Sequence, residues 1–154
     1  MVFDQHTVVA APAEKVWELI VDVPRLAGCL PGLEDLRQEG PDTYAGTLEV
    51  AVGPIAVKLE GRMQLERHDR DAWTTLLVIK AEDRRIRSST NARTTMRLVP
   101  NGEHTELIVH TEATVLGKLG QMGQAVLRKK SDQLLAQFVE NMAAALGGAA
   151  AETT

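Results

Sequence analysis

The side chains able to carry acid–base, nucleophilic or metal chemistry are few and scattered. The four histidines are His6, His68, His104 and His110. His68 and His104 fall at turns, and His6 and His110 fall on strands, on faces that read as outward. No two of them stand at a metal-ligand spacing, and Cys29 has no cysteine partner. A lone cysteine beside the Leu30-Pro31-Gly32 turn reads as a small buried residue. Neither a phosphate-binding loop nor a G-x-S-x-G elbow occurs. The run G-K-L-G-Q-M-G at 117–123 spaces its glycines loosely, as in a dinucleotide fingerprint. An antiparallel β-ladder precedes it, however, where that fingerprint needs a parallel βαβ unit. No convergent acid–base pair emerges.

Polar residues at inward parity are a different matter. On the strand read over Ile86–Val99, Ser88, Thr90, Thr94 and Met96 share one face with Ile86, Ala92 and Leu98, and Thr111 joins them from the next strand. A hydroxyl buried without a partner costs about 1–3 kcal/mol. Bound water, strand-edge backbone or a ligand headgroup would each satisfy it. Equally, these are small β-formers that suit the ends of a sheet. The opposite face carries Arg85, Arg87, Arg93 and Arg97, a solvated strip or a docking face for phospholipid headgroups or an acidic partner. The basic run Arg128-Lys129-Lys130 has the same two readings, although Lys130 interrupts an apolar ladder.

That ladder belongs to the element around which the chain is organised, a helix expected from Gly117 to Leu146. It runs about seven turns without a proline. Met122, Val126, Leu134, Phe138, Met142 and Leu146 recur at i, i+4 steps, flanked by Leu119, Leu127, Leu135 and Val139. Before it, Val2 to Ala10 reads as a strand. A helix then begins near Pro12, with Val16, Leu19 and Ile20 on its apolar face, and a second short one spans Pro24 to Cys29. From Leu33 the pattern alternates. Tyr44, Gly46, Leu48, Val50 and Val52 share a dry face with Ile55, Val57, Leu59, Gly61, Met63 and Leu65 across the Gly53-Pro54 turn. Trp73–Lys80, Ile86–Val99 and Thr105–Leu116 follow as strands. The order predicts an α+β fold, a curved antiparallel sheet of about seven strands wrapped around one long helix.

Composition bounds the rest. With 154 residues, 44% hydrophobic and 25% charged, the chain suits one domain over 1–146 and a flexible Gly/Ala-rich tail over 147–154. A net charge of −4 argues against general nucleic-acid binding. One cysteine excludes an internal disulfide and fits a reducing compartment. The start M-V-F-D-Q-H does not read as a signal peptide, and no apolar run is long enough to span a bilayer. Only 3% of the residues are aromatic, so large rings cannot plug every gap in the interior.

Several stretches together resemble one family. They are A-P-A-E-K-V-W at 11–17, L-A-G-C-L-P-G-L-E at 26–34, V-G-P-I at 52–55, G-K-L-G-Q-M-G at 117–123 and Q-F-V-E-N-M at 137–142. In this order they are similar to the carbon monoxide dehydrogenase CoxG family of START-like (SRPBCC), helix-grip proteins. The resemblance implies a tunnel for an apolar ligand between sheet and helix. It also implies a partner, a molybdenum–copper CO dehydrogenase, and a cargo, a menaquinone-like respiratory quinone held without covalent attachment. Such a protein would work in the cytoplasm, peripheral to the inner face of the cell membrane. Members often reach the membrane through a C-terminal extension, which is expected to be absent from the sequence as given, ending G-G-A-A-A-E-T-T.

The expected reading is therefore a non-enzymatic carrier with neither a catalytic nor a metal site. Its tunnel is expected to be lined by Val50, Val52, Ile55, Val57, Met96, Val115, Leu119, Met122, Gly123 and Val126. Ser88, Thr90 or Thr94 would address the ring carbonyls, with Leu26 and Leu30 as a lid. A module with a filled core that recruits or assembles the dehydrogenase at the membrane is the alternative. A cyclase- or hydrolase-like enzyme is the third, since fold alone separates none of them.

Overall fold

The computed structural model describes residues 1–147; the tail expected over 147–154 falls, apart from Gly147, outside the described residues. A first strand β1 (Val2–Val9) leads into two short helices, α1 (Ala13–Ile20) and α2 (Val23–Ala27). Six strands follow: β2 (Leu33–Gly40), β3 (Thr43–Val52), β4 (Ile55–Asp69), β5 (Thr74–Asp83), β6 (Ser88–Asn101) and β7 (His104–Leu116). The long helix α3 (Gln124–Ala145) closes the fold. The strands form one seven-stranded antiparallel sheet in the order β1-β7-β6-β5-β4-β3-β2. Tight turns set this meander. Val52 pairs with Ile55 across Gly53-Pro54, with Gly53 at φ 58° in the place where a two-residue hairpin turn needs a positive φ.

Two expected boundaries move, both because of left-handed backbone. The long helix does not begin at Gly117. Gly117 (φ 79°) and Gly123 (φ 90°) bracket a single 3-10 turn, Gly120–Met122, and α3 starts only at Gln124. A Cβ on Gly117 would lie 1.7 Å from the Arg87 carbonyl oxygen, so that position admits no side chain. Similarly, β6 begins at Ser88 and not at Ile86. Arg84–Ile86 form a 3-10 turn that ends in Arg87 at φ 50°. The turn is built on Asp83, 2% exposed, whose carboxylate accepts from the Arg85 amide and guanidinium and from the Lys58 amide. The bonds from Arg85 and Lys58 hold the Asp83 carboxyl at a pKa of about 2, against its burial. Arg85 and Arg87 thereby leave the expected strip, and Arg93 and Arg97 keep their places on β6.

Packing is concentrated at the two ends of the sheet. The larger core joins α1 and α2 (Val16, Leu19, Ile20, Val23, Leu26) to Leu77, Met96, Leu98 and Leu107 of the sheet and to Val139 and Met142 of α3. A smaller cluster at the other end gathers Val52, Val57 and Leu119, with Ile55, Met122 and Leu127 against them. The C-terminal half of α3 is thus anchored, with Met142 fully buried, while its N-terminal half spans the space between the two clusters. Of the expected i, i+4 ladder, Lys130, Leu134 and Phe138 face the sheet, with Leu127, Ser131 and Leu135 beside them, and Met142 is fully buried; Val126 departs from it at 39% exposed.

Candidate ligand cavity

A cavity of about 460 Å³ separates the N-terminal half of α3 from the inner face of the sheet. Its floor is hollow because of residue size. In register across the sheet, Gly46 faces Gly61, Gly61 faces Ala81, Ala81 faces Thr90 and Thr90 faces Val115. The adjacent row reads Tyr44, Met63, Ile79, Ala92 and Ala113. Small side chains in the middle of a curved sheet leave volume that the helix above cannot descend to fill, because both its ends rest on packed clusters. Gly61 is also sterically required: a Cβ there would lie 2.6 Å from both the Ala81 Cβ and the Lys80 carbonyl oxygen.

The roof is the sheet-facing stripe of α3, and Leu30, Leu33 and Leu36 add to the lining from the turn after α2 and from β2. Side-chain hydrogen bonds fix the roof along β1. Gln5 Nε2 donates to Asp132 Oδ1 (2.7 Å) and Ser131 Oγ (3.3 Å), and Gln124 Nε2 donates to the Val2 carbonyl (3.2 Å). At the far end Asn141 Nδ2 donates to the Cys29 carbonyl at 2.8 Å, tying α3 to the turn after α2.

Polar groups on this wall are sparse. Thr94 Oγ1 and Thr111 Oγ1 are 3.1 Å apart, and Thr90 Oγ1 is buried with no hydrogen-bond partner. Ser88 Oγ is committed elsewhere, accepting the Leu119 amide at 2.8 Å. From the roof, Lys130 reaches the same hollow. Arg62 also touches the lining, but it pairs with Glu39 at 2.7 Å. Among the described residues no aspartate, glutamate, histidine or cysteine lines the cavity.

Of the residues expected in the tunnel, Leu30, Val50, Val52, Thr90, Thr94, Val115 and Leu119 line this cavity. Leu26 and Met96 lie in the larger core, so Leu26 is packed and not part of the lining. Ile55, Val57 and Met122 belong to the smaller cluster, where Met122 closes over the Gly53 turn. Ser88 is a latch for the segment before α3, Gly123 is the helix N-cap, and Val126 turns outward. The floor residues Gly46, Gly61, Ala81, Ala92 and Ala113 and the roof residues Lys130, Leu134 and Phe138 complete the lining. Inward parity combined with small size was the signal for the floor.

The histidines and the cysteine singled out from sequence stand away from the cavity. Cys29 is buried and bonded to the Arg25 carbonyl at 3.7 Å, and burial pushes its thiol up. His6 pairs with Glu106 (2.9 Å) and His110 with Asp4 (2.5 Å), both between β1 and β7; Asp4 raises the His110 pKa. Among the described residues no cluster of histidine, cysteine, aspartate and glutamate could hold a metal ion. None of the described helices is long and apolar enough to cross a membrane.

The family model for CoxG, a carbon monoxide dehydrogenase subunit, matches residues 6–147. The chain belongs to the CoxG family. None of the curated proteins matches it in sequence. Among solved structures, a conserved protein from Geobacillus kaustophilus superposes with a TM-score of 0.86 at 22% identity, covering 96% of this chain and 95% of that one. A Thermus thermophilus protein gives 0.66 at 16% identity (94% and 99% covered). The Zhui aromatase/cyclase from a Streptomyces species gives 0.57 at 19% identity (98% and 93% covered). At these identities the likeness is one of fold, and the fold is the helix-grip architecture. A ligand-binding or accessory role follows for this CoxG chain.

Proposed function

We propose that this CoxG chain is a non-enzymatic carrier. It takes an isoprenoid quinone, menaquinone-like, from the inner face of the membrane into its cavity and presents it to a molybdenum–copper CO dehydrogenase. The observation that carries this reading is a hollow of about 460 Å³ with a largely apolar lining, small residues on its floor and a group of threonine hydroxyls at Thr90, Thr94 and Thr111. An isoprenoid tail meets such a wall with many carbons, each buried CH2 contributing on the order of 0.8 kcal/mol before the costs of association. The ring carbonyls need few polar partners, and Thr90, Thr94 and Thr111 offer them.

The hollow weighs against the module with a filled core, whose interface would need no internal space. A cyclase- or hydrolase-like activity would need a proton donor and acceptor at the ligand, and among the described residues the lining offers no carboxylate, imidazole or thiol. The test is transfer. The protein is incubated with menaquinone-loaded vesicles, separated from them and extracted. Stoichiometric quinone in the protein fraction is expected; quinone left entirely in the vesicles refutes the carrier.

A further inference from the structure

An apolar hollow does not by itself explain Lys130, which sits within the sheet-facing stripe of α3, one turn from both Leu127 and Leu134. Among the described residues no carboxylate lies within ion-pair distance of it. Arg62, the other cation at the lining, is paired and largely exposed. We propose that Lys130 holds the polar head of the ligand, and that the cavity takes an amphiphile whose head offers oxygen acceptors.

A count of donors carries this. Lys130 brings three N–H donors and no acceptor. Thr94 and Thr111 have two hydroxyl protons between them, and their mutual bond uses one. Thr90 adds an unpartnered hydroxyl. Among the described residues no carboxylate lines the cavity to receive these protons, and the few neutral oxygens of the lining, on Gln5, Tyr44 and Ser131, leave donors for a ligand that brings oxygen acceptors. Quinone carbonyls and a fatty-acid carboxylate share that chemistry. Because Lys130 lies in the second turn of α3, the head stops beneath the N-terminal half of that helix. The tail runs over the Gly46, Gly61 and Ala81 floor.

The inference rests on the carrier reading, and the experiment separates the two. Wild-type protein, Lys130→Met and Lys130→Arg are titrated with three probes: menaquinone-4, palmitate and squalene, a polyprenyl hydrocarbon with no polar head. A lost hydrogen bond to a charged donor weakens binding by about tenfold or more. Lys130→Met should therefore lose at least that much affinity for menaquinone-4 with squalene unchanged, and Lys130→Arg should keep most of the wild-type affinity. Palmitate weakened alone would assign the head as a carboxylate, still held by Lys130. Both headed probes unchanged in Lys130→Met, at an unaltered melting temperature, would overturn the head-group role and leave the carrier standing. Wild-type protein that takes up none of the three would overturn the carrier and this inference with it.

Discussion

Ala92 lies on the cavity floor between Ile79 and Ala113, so Ala92→Leu places three additional carbons in the hollow. If ligand carbons occupy that space, each one displaced forfeits about 0.8 kcal/mol, or roughly 2.4 kcal/mol for three. Affinity for a menaquinone should then fall by about 50-fold. Folding should respond in the opposite sense. The new carbons enter existing empty volume, so they gain burial without forcing packed neighbours apart, and the melting temperature of lipid-free protein should hold or rise. A filled floor would behave differently. Overpacking costs about 1–3 kcal/mol, and in a chain of 154 residues each kcal/mol lowers the melting temperature by about 2–4 °C. Calorimetry of the lipid-free variant and quinone uptake from vesicles read the two effects separately. A substantially lowered melting temperature with uptake unchanged would refute a hollow, ligand-filled floor.

Three further outcomes follow from the framework around the cavity. Asp83→Ala removes the acceptor for the Lys58 and Arg85 amides and should cost about 1–3 kcal/mol in urea unfolding. Because the Asp83 carboxyl is held at about 2, below its ordinary 3.8, its contribution is complete above that ordinary value and is lost as the pH falls toward 2. The variant should lack this part of the acid-induced loss; identical acid limbs would contradict it. Met142→Ala, at a fully buried site where α3 meets the larger core, should cost about 2–5 kcal/mol, and a loss below about 1 kcal/mol would mean that this end of the helix is not anchored. Gly117→Ala should destabilise the fold more than Gly102→Ala. Both glycines have positive φ, but only Gly117 sits against the Arg87 carbonyl, so equal melting temperatures would place the 116–123 segment elsewhere.

Much of the architecture is written in periodicity. Alternation across Tyr44–Val52 and Ile55–Leu65 specifies one dry and one wet face, and the Gly53-Pro54 turn fixes how the two strands register. The cavity is less legible, because its floor is a property of neighbouring strands. Gly46, Gly61, Ala81 and Thr90 are unremarkable singly and become a furrow only once the register sets them side by side. The roof is legible in part: the i, i+4 ladder holds from Lys130 through Leu134 and Phe138 to Met142 and fails at Val126, which is exposed in the first turn of α3. The late start of α3 is a matter of backbone conformation, since a glycine at 117 or 123 is compatible with a helix until contacts such as the Arg87 carbonyl decide its φ. Sequence resemblance, by contrast, reached the family directly, through short motifs spread over most of the chain.

Whether the hollow is a lipid site can be read from mass spectrometry of an organic extract of the purified protein. An isoprenoid quinone at close to one molecule per chain is the expected result. An extract without lipid, still blank after the protein has been incubated with quinone-loaded membranes, would contradict it.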